Sequence, residues 1–489
     1  MKQQVFNPFL PSWEYVPDGE PRVFGDRVYL YGSHDLFDGK DFCLGDYVCW
    51  SAPLNDLSDW RYEGVIYRKE QDPRNQNGRM HMCAPDCVQG PDGRYYLYYQ
   101  LHALTCTCVA AADSPVGPFE YYGCVHHPDG TPWGEKKGDS FAFDPGVLID
   151  DDGKIYLYVG NSPAPGFFKT VLKLRGNRVE EAVCLELAPD MVTVKGEEQP
   201  IVPGPALAKG TEFEGHGFFE ASSIRKIGSK YYFVYSSELS HELCYAVSDR
   251  PTLGFRYGGT LVSIADVGFR GNTTPRNYTG NTHGGMCEVN GQWYIFYHRQ
   301  TNRIKCSRQA CAEKLTILPD GTISQVEVTS CGLSDGPLSG KGTFEARIAC
   351  NLGGPVPMVK SDHAKKLDKK KQLPYFTQSG EDRERDGDQY LANLQNGAWC
   401  GFKYFSFDGS EQKISVRVRG SADGMLKVFT DRSKPAVAEL RILPSASWAD
   451  FRTSFHPEPG IQPLFFVYTG SGTLDFSSFT IEKPGETAR

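Results

Sequence analysis

The chain has 489 residues, a formal net charge of −8 and 13% aromatic side chains. That length exceeds what one small core needs, and the acidic balance argues against a nucleic-acid partner, which wants a basic patch. The 52 glycines and 32 prolines point to turn-rich β structure, and no apolar run is long enough to span a membrane. The opening MKQQVFNPFLPSW lacks the apolar core of a secretory leader. The 15 cysteines are odd in number, lie mostly in strand-like segments and form no CxxC pair. Reduced cysteines in a cytoplasmic protein, without a zinc site, are therefore expected.

Along the chain one short stretch recurs as GDRVYLYGS, DGRYYLYYQ, DGKIYLYVG, GSKYYFVYSS and NGQWYIFYHR. Each is a tight turn followed by aromatic and β-branched residues, the pattern of a hairpin feeding a buried strand. The copies align Tyr29, Tyr96, Tyr156, Tyr232 and Tyr294, at spacings of 67, 60, 76 and 62 residues. A unit that recurs five times and cannot bury its apolar face alone predicts a five-bladed β-propeller over residues 1–330, four strands to a blade. The outer strands read as VCWSAPLNDLSDWRYEGVIY in the first blade, with related segments at 109–125 and 245–263. In the third blade VLKLRGNRVEEAVCLEL reads as an outer hairpin turned at Arg175–Asn177. Long loops at 68–82, 126–143, 189–217 and 264–282 are expected to carry substrate contacts, and FEGHGFFEASS and NYTGNTHGG stand out there.

After residue 330 the repeat is lost. Residues 331–375, with the lysine-rich VKSDHAKKLDKKKQLP, read as a solvated connecting segment. Residues 376–489 return to short alternating runs such as GAWCGFKYFSF and KISVRVRGSADGMLKVFTD, the pattern of a jelly-roll-like β-sandwich. Trp399 and Trp448 are candidates to stack on a sugar, but a core role fits either equally well, and no glycan site is assigned.

Ten to twelve residues before each aligned tyrosine stand Asp18, Asp86, Asp144, Glu220 and His283. All five are ionisable, although the chain holds only 60 acidic residues and 11 histidines. Equivalent positions at the starts of inner strands converge on one end of a propeller channel, so a single pocket is expected. Turn capping by Asp is the alternative for individual members. Carboxyl groups converging on a pocket without a cofactor motif suit glycosidic cleavage, with one acting as proton donor and another as base or nucleophile. Glu220, among Phe218, Phe219 and Ala221, is the better acid, because desolvation and a neighbouring carboxylate both raise a carboxyl pKa. Asp18, in an open turn, is the better base; Glu20 competes with it, as Glu212 and Glu214 do with Glu220.

The blade starts PDGEP, FDPGVLIDDDGKIYLY, FFEASSIRK and HGGMCEVNGQWYIFYHR resemble those of glycoside hydrolase family 43, over residue 7 to about 330. The resemblance implies an inverting enzyme acting on arabinose- or xylose-containing glycans. It also implies Asp18 as general base, Asp144 as pKa modulator and Glu220 as general acid. It places Arg299 near the substrate and gives His283 a part in holding a calcium ion, mainly through waters, with no cofactor required for the chemistry. Asp86, Trp50 and Phe143 are further candidate substrate contacts. The C-terminal part resembles family 6 carbohydrate-binding modules through LQNGAWCGFKYFSFDG and LDFSSFTIEK. The activity expected is exo-acting release of α-L-arabinofuranosyl or β-D-xylosyl units from plant-cell-wall oligosaccharides. A related glycosidase of other specificity, such as a galactosidase, and a non-catalytic glycan-binding propeller are the alternatives.

Overall fold

Each of the five repeats ends its first hairpin on a glycine with positive φ, at Gly25, Gly93, Gly153, Gly228 and Gly291. At Asn290–Gly291 both turn residues have positive φ (51° and 81°), the two-residue turn that matches strand twist. The computed structural model describes residues 5–361, 373–382 and 388–483.

The hairpins open five antiparallel sheets in chain order. The first blade is β1 (Glu20–Phe24), β2 (Arg27–Tyr31), β3 (Tyr47–Pro53) and β4 (Arg61–Tyr67). The second is β5 (Met82–Gln89), β6 (Tyr95–Leu101), β7 (Cys108–Ala112) and β8 (Glu120–Cys124). The third is β9 (Gly146–Ile149), β10 (Ile155–Val159), β11 (Glu181–Leu187) and β12 (Val194–Pro203). The fourth is β13 (Phe218–Ile227), β14 (Lys230–Ser237), β15 (Glu242–Ser248) and β16 (Arg256–Ser263). The fifth has β17 (Met286–Val289), β18 (Gln292–Thr301) and β19 (Ile304–Leu315). Its outer edge is covered by the N-terminal segment: the Phe9 amide donates to Ala310 O, and Asn7 Nδ2 to Ala312 O at 2.9 Å. This closes the ring. The five aligned tyrosines lie on the second strands and are at most 8% exposed, packed into the apolar layers between neighbouring blades.

The outer hairpin expected around Arg175–Asn177 is not formed. Residues Phe167–Arg175 make helix α1, which ends at Gly176 in the left-handed region (φ 94°), with Lys173 and Arg175 in its last turn. Those are helix C-terminal signals, and the outer strands of this blade begin only at Glu181.

Residues 331–375 do not form a linker. Within them Leu338–Ser339 and Asn351–Gly353 pair with Trp399–Phe407, and Gly342–Glu345 pairs with Leu474–Glu482. These segments complete two six-stranded sheets of the C-terminal sandwich. Its core is strongly aromatic, with Phe402, Phe466, Phe476 and Phe479 in mutual contact. Most of the lysine-rich stretch, residues 362–372, lies outside the described residues. Trp448 packs against Tyr390 and Arg419, and Trp399 against Phe465 and Arg432.

Buried polar contacts join sandwich to propeller. Lys403, 3% exposed, places Nζ 3.1 Å from Asp266 and 2.8 Å from Glu327. Asn351 Nδ2 donates to the same Asp266 at 3.0 Å, and Tyr15 donates to Gln378 at 2.7 Å. Removing one partner of a buried ion pair leaves an uncompensated charge, so K403M is expected to cost about 3 kcal/mol. Urea unfolding of the full chain, compared with wild type, checks this.

Candidate active site

The channel end formed by the starts of the inner strands opens into a cavity of about 280 Å³. Asp18, Phe143, Asp144, Phe219, Glu220 and His283 line it, joined by Arg308 and, at its rim, Ser240, Lys305 and Lys360. Four of the five positions aligned by sequence thus meet at one pocket. The backbone presenting them is strained: φ is 56° at Asp18, 48° at Asp144 and 73° at Ala221, just after Glu220. Left-handed conformations in residues other than glycine persist only when their surroundings hold them, and they gather at functional sites. Here the holders are visible. The Asp18 amide donates to His298 Nδ1 at 3.2 Å, and the Ala221 amide donates to Asp144 Oδ2 at 3.2 Å. Glu220 pairs with Ser236 of β14, and the register then shifts before Ser223, so the extra residue falls at Ala221–Ser222, directly after Glu220.

The charges divide into two kinds. Burial pushes the Asp18 carboxyl up, but the Arg308 guanidinium, helped by His283, outweighs it and holds the group below the usual carboxylate range. Arg308 Nη1 donates to Asp18 Oδ1 at 2.8 Å, while its Nε and Nη2 grip Asp35 at 2.8 and 3.0 Å. His298 stays neutral because burial, then Arg308, push its pKa down to about 3; its Nε2 donates to Asn281 O at 2.8 Å. Glu220 behaves oppositely: burial first, then the Asp144 charge, push it up to about 8. Its Oε2 accepts from Asn161 Nδ2 at 3.2 Å. Asp144 is itself raised, chiefly by burial, against the pull of His283, whose Nδ1 lies 3.6 Å from Asp144 Oδ2. Desolvation opposes a charge on His283, but Asp144, Asp18 and Glu20 overcome it and raise the ring to about 9. Near neutral pH the pocket therefore holds an ionised Asp18 and a protonated Glu220.

Three expected substrate contacts lie elsewhere. Asp86 is the fifth residue of β5, whereas Asp18, Asp144 and His283 precede their strands, so it sits deeper in the channel. There Arg22 and the Val147 amide bind it, at 2.8 and 2.7 Å. Trp50 is on a third strand, away from the axis; it is 4% exposed in the core between the first and fifth blades and donates to Glu14 Oε2 at 2.9 Å. Arg299 points away from the pocket because alternation on β18 puts His298 on the pocket side. Its guanidinium instead donates to Arg347 O at 2.7 Å and Ala349 O at 3.2 Å, and covers the Phe376 ring. Arg308, on β19 opposite Gln300, faces the pocket. Of the rival carboxylates, Glu20 is turned down the channel to Arg225, 2.6 Å away, and Glu212 and Glu214 are exposed outside the pocket.

Arg308 lies in CSRQACAEK, where no motif marks it, and strand parity was the signal that could have found it. Lys360 had no local signal. It reaches the rim because residues 359–361 run beside the NYTGNTHGG loop, Thr279 donating to Val359 O and Ser361 to Thr279 O.

Cleavage of a glycosidic bond asks for two carboxyls in opposite protonation states, and the fold and pocket together define a glycoside hydrolase. Residues 7–323 match the model of glycosyl hydrolases family 43, and the chain belongs to that family. It is 48% identical to a xylosidase/arabinosidase from Thermoclostridium stercorarium over 98% of this chain and 99% of that protein. Among solved structures, an arabinoxylan arabinofuranohydrolase of the family from Bacillus subtilis, in complex with cellotetraose, is similar in fold (TM-score 0.51, 22% identity, 97% of this chain and 96% of that one). A family 43 β-xylosidase/α-arabinofuranosidase from a compost metagenome, in complex with xylotriose in a calcium-free form, also shares the fold (TM-score 0.51, 24% identity, 67% and 98%).

Because the Asp144 charge helps hold the Glu220 proton, D144N is expected to move the Glu220 titration from about 8 toward the ordinary carboxylate range. Carboxyl-region infrared titration of wild type and variant measures the shift directly.

Proposed function

We propose that the chain is an exo-acting, inverting glycosidase that releases α-L-arabinofuranosyl or β-D-xylosyl units from plant-cell-wall oligosaccharides. The observation that carries this reading is the meeting of Asp18, Asp144 and Glu220 in one pocket, where Arg308 donates to Asp18 at 2.8 Å. A cavity of about 280 Å³ is at the small end for ligand sites and suits a terminal sugar better than the middle of a polymer. Phe143 and Phe219 offer apolar walls to a sugar ring. The name of the relative that is 48% identical along nearly its whole length supports the two pentoses.

In this mechanism Glu220 donates its proton to the departing glycosidic oxygen as the C1–O bond breaks. Asp18 takes a proton from a water that attacks C1 from the opposite face, so the anomeric configuration inverts. Asp144 keeps Glu220 protonated and holds the backbone just after it through the Ala221 amide. Arg308 keeps Asp18 ionised.

Members of the family need no cofactor for this chemistry. Calcium takes six or more oxygen ligands, whereas His283 is a protonated partner of Asp144 and belongs to no cluster of three metal-ligating side chains among the described residues. The residues around His283 therefore do not offer calcium a direct ligand set. All fifteen cysteines are free, which favours a reducing compartment and imported oligosaccharides as substrates. No described helix is long and apolar enough to cross a membrane.

E220Q is expected to lower kcat on natural oligosaccharides by about 10²–10⁴-fold with the fold intact, and by less where the leaving group needs no proton. Hydrolysis of nitrophenyl α-L-arabinofuranoside, β-D-xyloside and β-D-galactoside and of arabinoxylo-oligosaccharides, by wild type and variant side by side, tests the reading and names the sugar. Turnover unchanged in E220Q would overturn it. EDTA dialysis is expected to leave kcat within about twofold, and a larger loss would place a metal in the chemistry.

A further inference from the structure

The stretch FEGHGFFEASS contributes more than Glu220. Its His216, in the loop before β13, places Nδ1 2.7 Å from Glu242 Oε1. Two residues along β15, and so on the same face of the strand, Cys244 Sγ lies 3.3 Å from that oxygen and 3.9 Å from the His216 nitrogen. One nitrogen, one oxygen and one sulfur thus converge within 4.8 Å of one another. Glu242 and Cys244 are buried, and His216 is half-buried with its side chain 33% exposed, which leaves one side of the cluster open to solvent.

We propose that His216, Glu242 and Cys244 form a binding site for a divalent d-block cation, zinc in the first place, with water as the fourth ligand. The donor set selects the metal: a thiol and an imidazole suit zinc and its neighbours, while calcium and magnesium want oxygen alone. Distances agree. Zinc bonds of about 2.0–2.3 Å at tetrahedral angles separate ligand atoms by about 3.3–3.7 Å. The three observed separations straddle that range, so closing around an ion needs shifts of a few tenths of an ångström, the largest at the His216–Glu242 pair.

An outer ring of donors is already in place. Ser237 and Thr260 hydroxyls donate to the Glu242 carboxylate at 2.6 and 3.1 Å, and the Tyr257 ring stacks on His216 at 5.0 Å. Such contacts fix ligand orientation and tighten binding. As the zinc–sulfur bond forms, the Cys244 thiol proton leaves to solvent, together with the imidazolium proton wherever His216 carries one.

The absence of a CxxC pair argued against zinc because such pairs take ligands from one loop. Here the ligands come from a loop and a strand separated by 26 residues. The site lies outside the glycosidase chemistry and does not depend on that reading. It would fasten the loop leading into Glu220 to the hairpin that carries Ser240 to the pocket rim.

The test uses the full chain, stripped with EDTA and titrated with cobalt(II), then zinc. Wild type should bind one equivalent of cobalt with a sulfur-to-metal charge-transfer band, and zinc should displace it and raise Tm. H216A, at a partly exposed position, should keep its fold and bind at least tenfold more weakly. C244S should lose the band. A folded wild type without the band, or a band and affinity that survive H216A, overturns the proposal.

Discussion

Three carboxyl groups crowded into one small desolvated pocket cannot all carry charge, and the rest of the site follows from how that conflict is resolved. Two cations pair directly with these carboxyls, Arg308 with Asp18 and His283 with Asp144. The proton that no cation displaces stays on Glu220. The same arithmetic fixes geometry. Arg308 aligns Asp18 only because its remaining nitrogens are held by Asp35, and Asp35 in turn accepts from the Cys43 and Arg308 amides. Asp144 spends one oxygen on the Ala221 amide and faces His283 with the same edge. The electrostatics and the strained backbone are one arrangement.

Deeper in the channel the same constraint acts away from the catalytic carboxyls. Glu20, Asp86, Arg22 and Arg225 neutralise one another across the first, second and fourth blades. Glu20 and Asp86 are buried and the two arginines nearly so, so charge pairing and the ring of blades stabilise each other. At the far side, Lys403, Asp266, Glu327 and Asn351 repeat the pattern between propeller and sandwich.

Sequence revealed the repeat because five turns need glycine and five strands need a buried tyrosine, and both are local demands. It revealed Asp18, Asp144, Glu220 and His283 for the same reason, since each sits 11 or 12 residues before its tyrosine. It failed where depth and parity decide. Asp86 stands 10 residues before its tyrosine but begins four residues inside its strand, and so falls below the pocket. Arg299 and Arg308 differ in face, which composition does not report and alternation does. Trp50 lies in the segment read as the outer strands of the first blade, and that position already set it away from the axis. Helix α1 was hidden because its residues are as apolar as a strand, with Phe167 and Leu174 left exposed. The contribution of residues 338–353 depends on strands that lie between 46 (Gly353 to Trp399) and 139 (Gly342 to Ile481) residues further along, and nothing local encodes it.

One consequence concerns how such a protein acquires new substrates. The segment at 359–361 reaches the pocket rim only after the chain has already entered the sandwich, so part of the specificity surface is encoded beyond the catalytic ring. Recombination that exchanged the C-terminal half between relatives would therefore rewrite the rim while leaving Asp18, Asp144 and Glu220 untouched. In this architecture the appended domain supplies part of the pocket's wall, through Lys360, apart from any glycan site of its own.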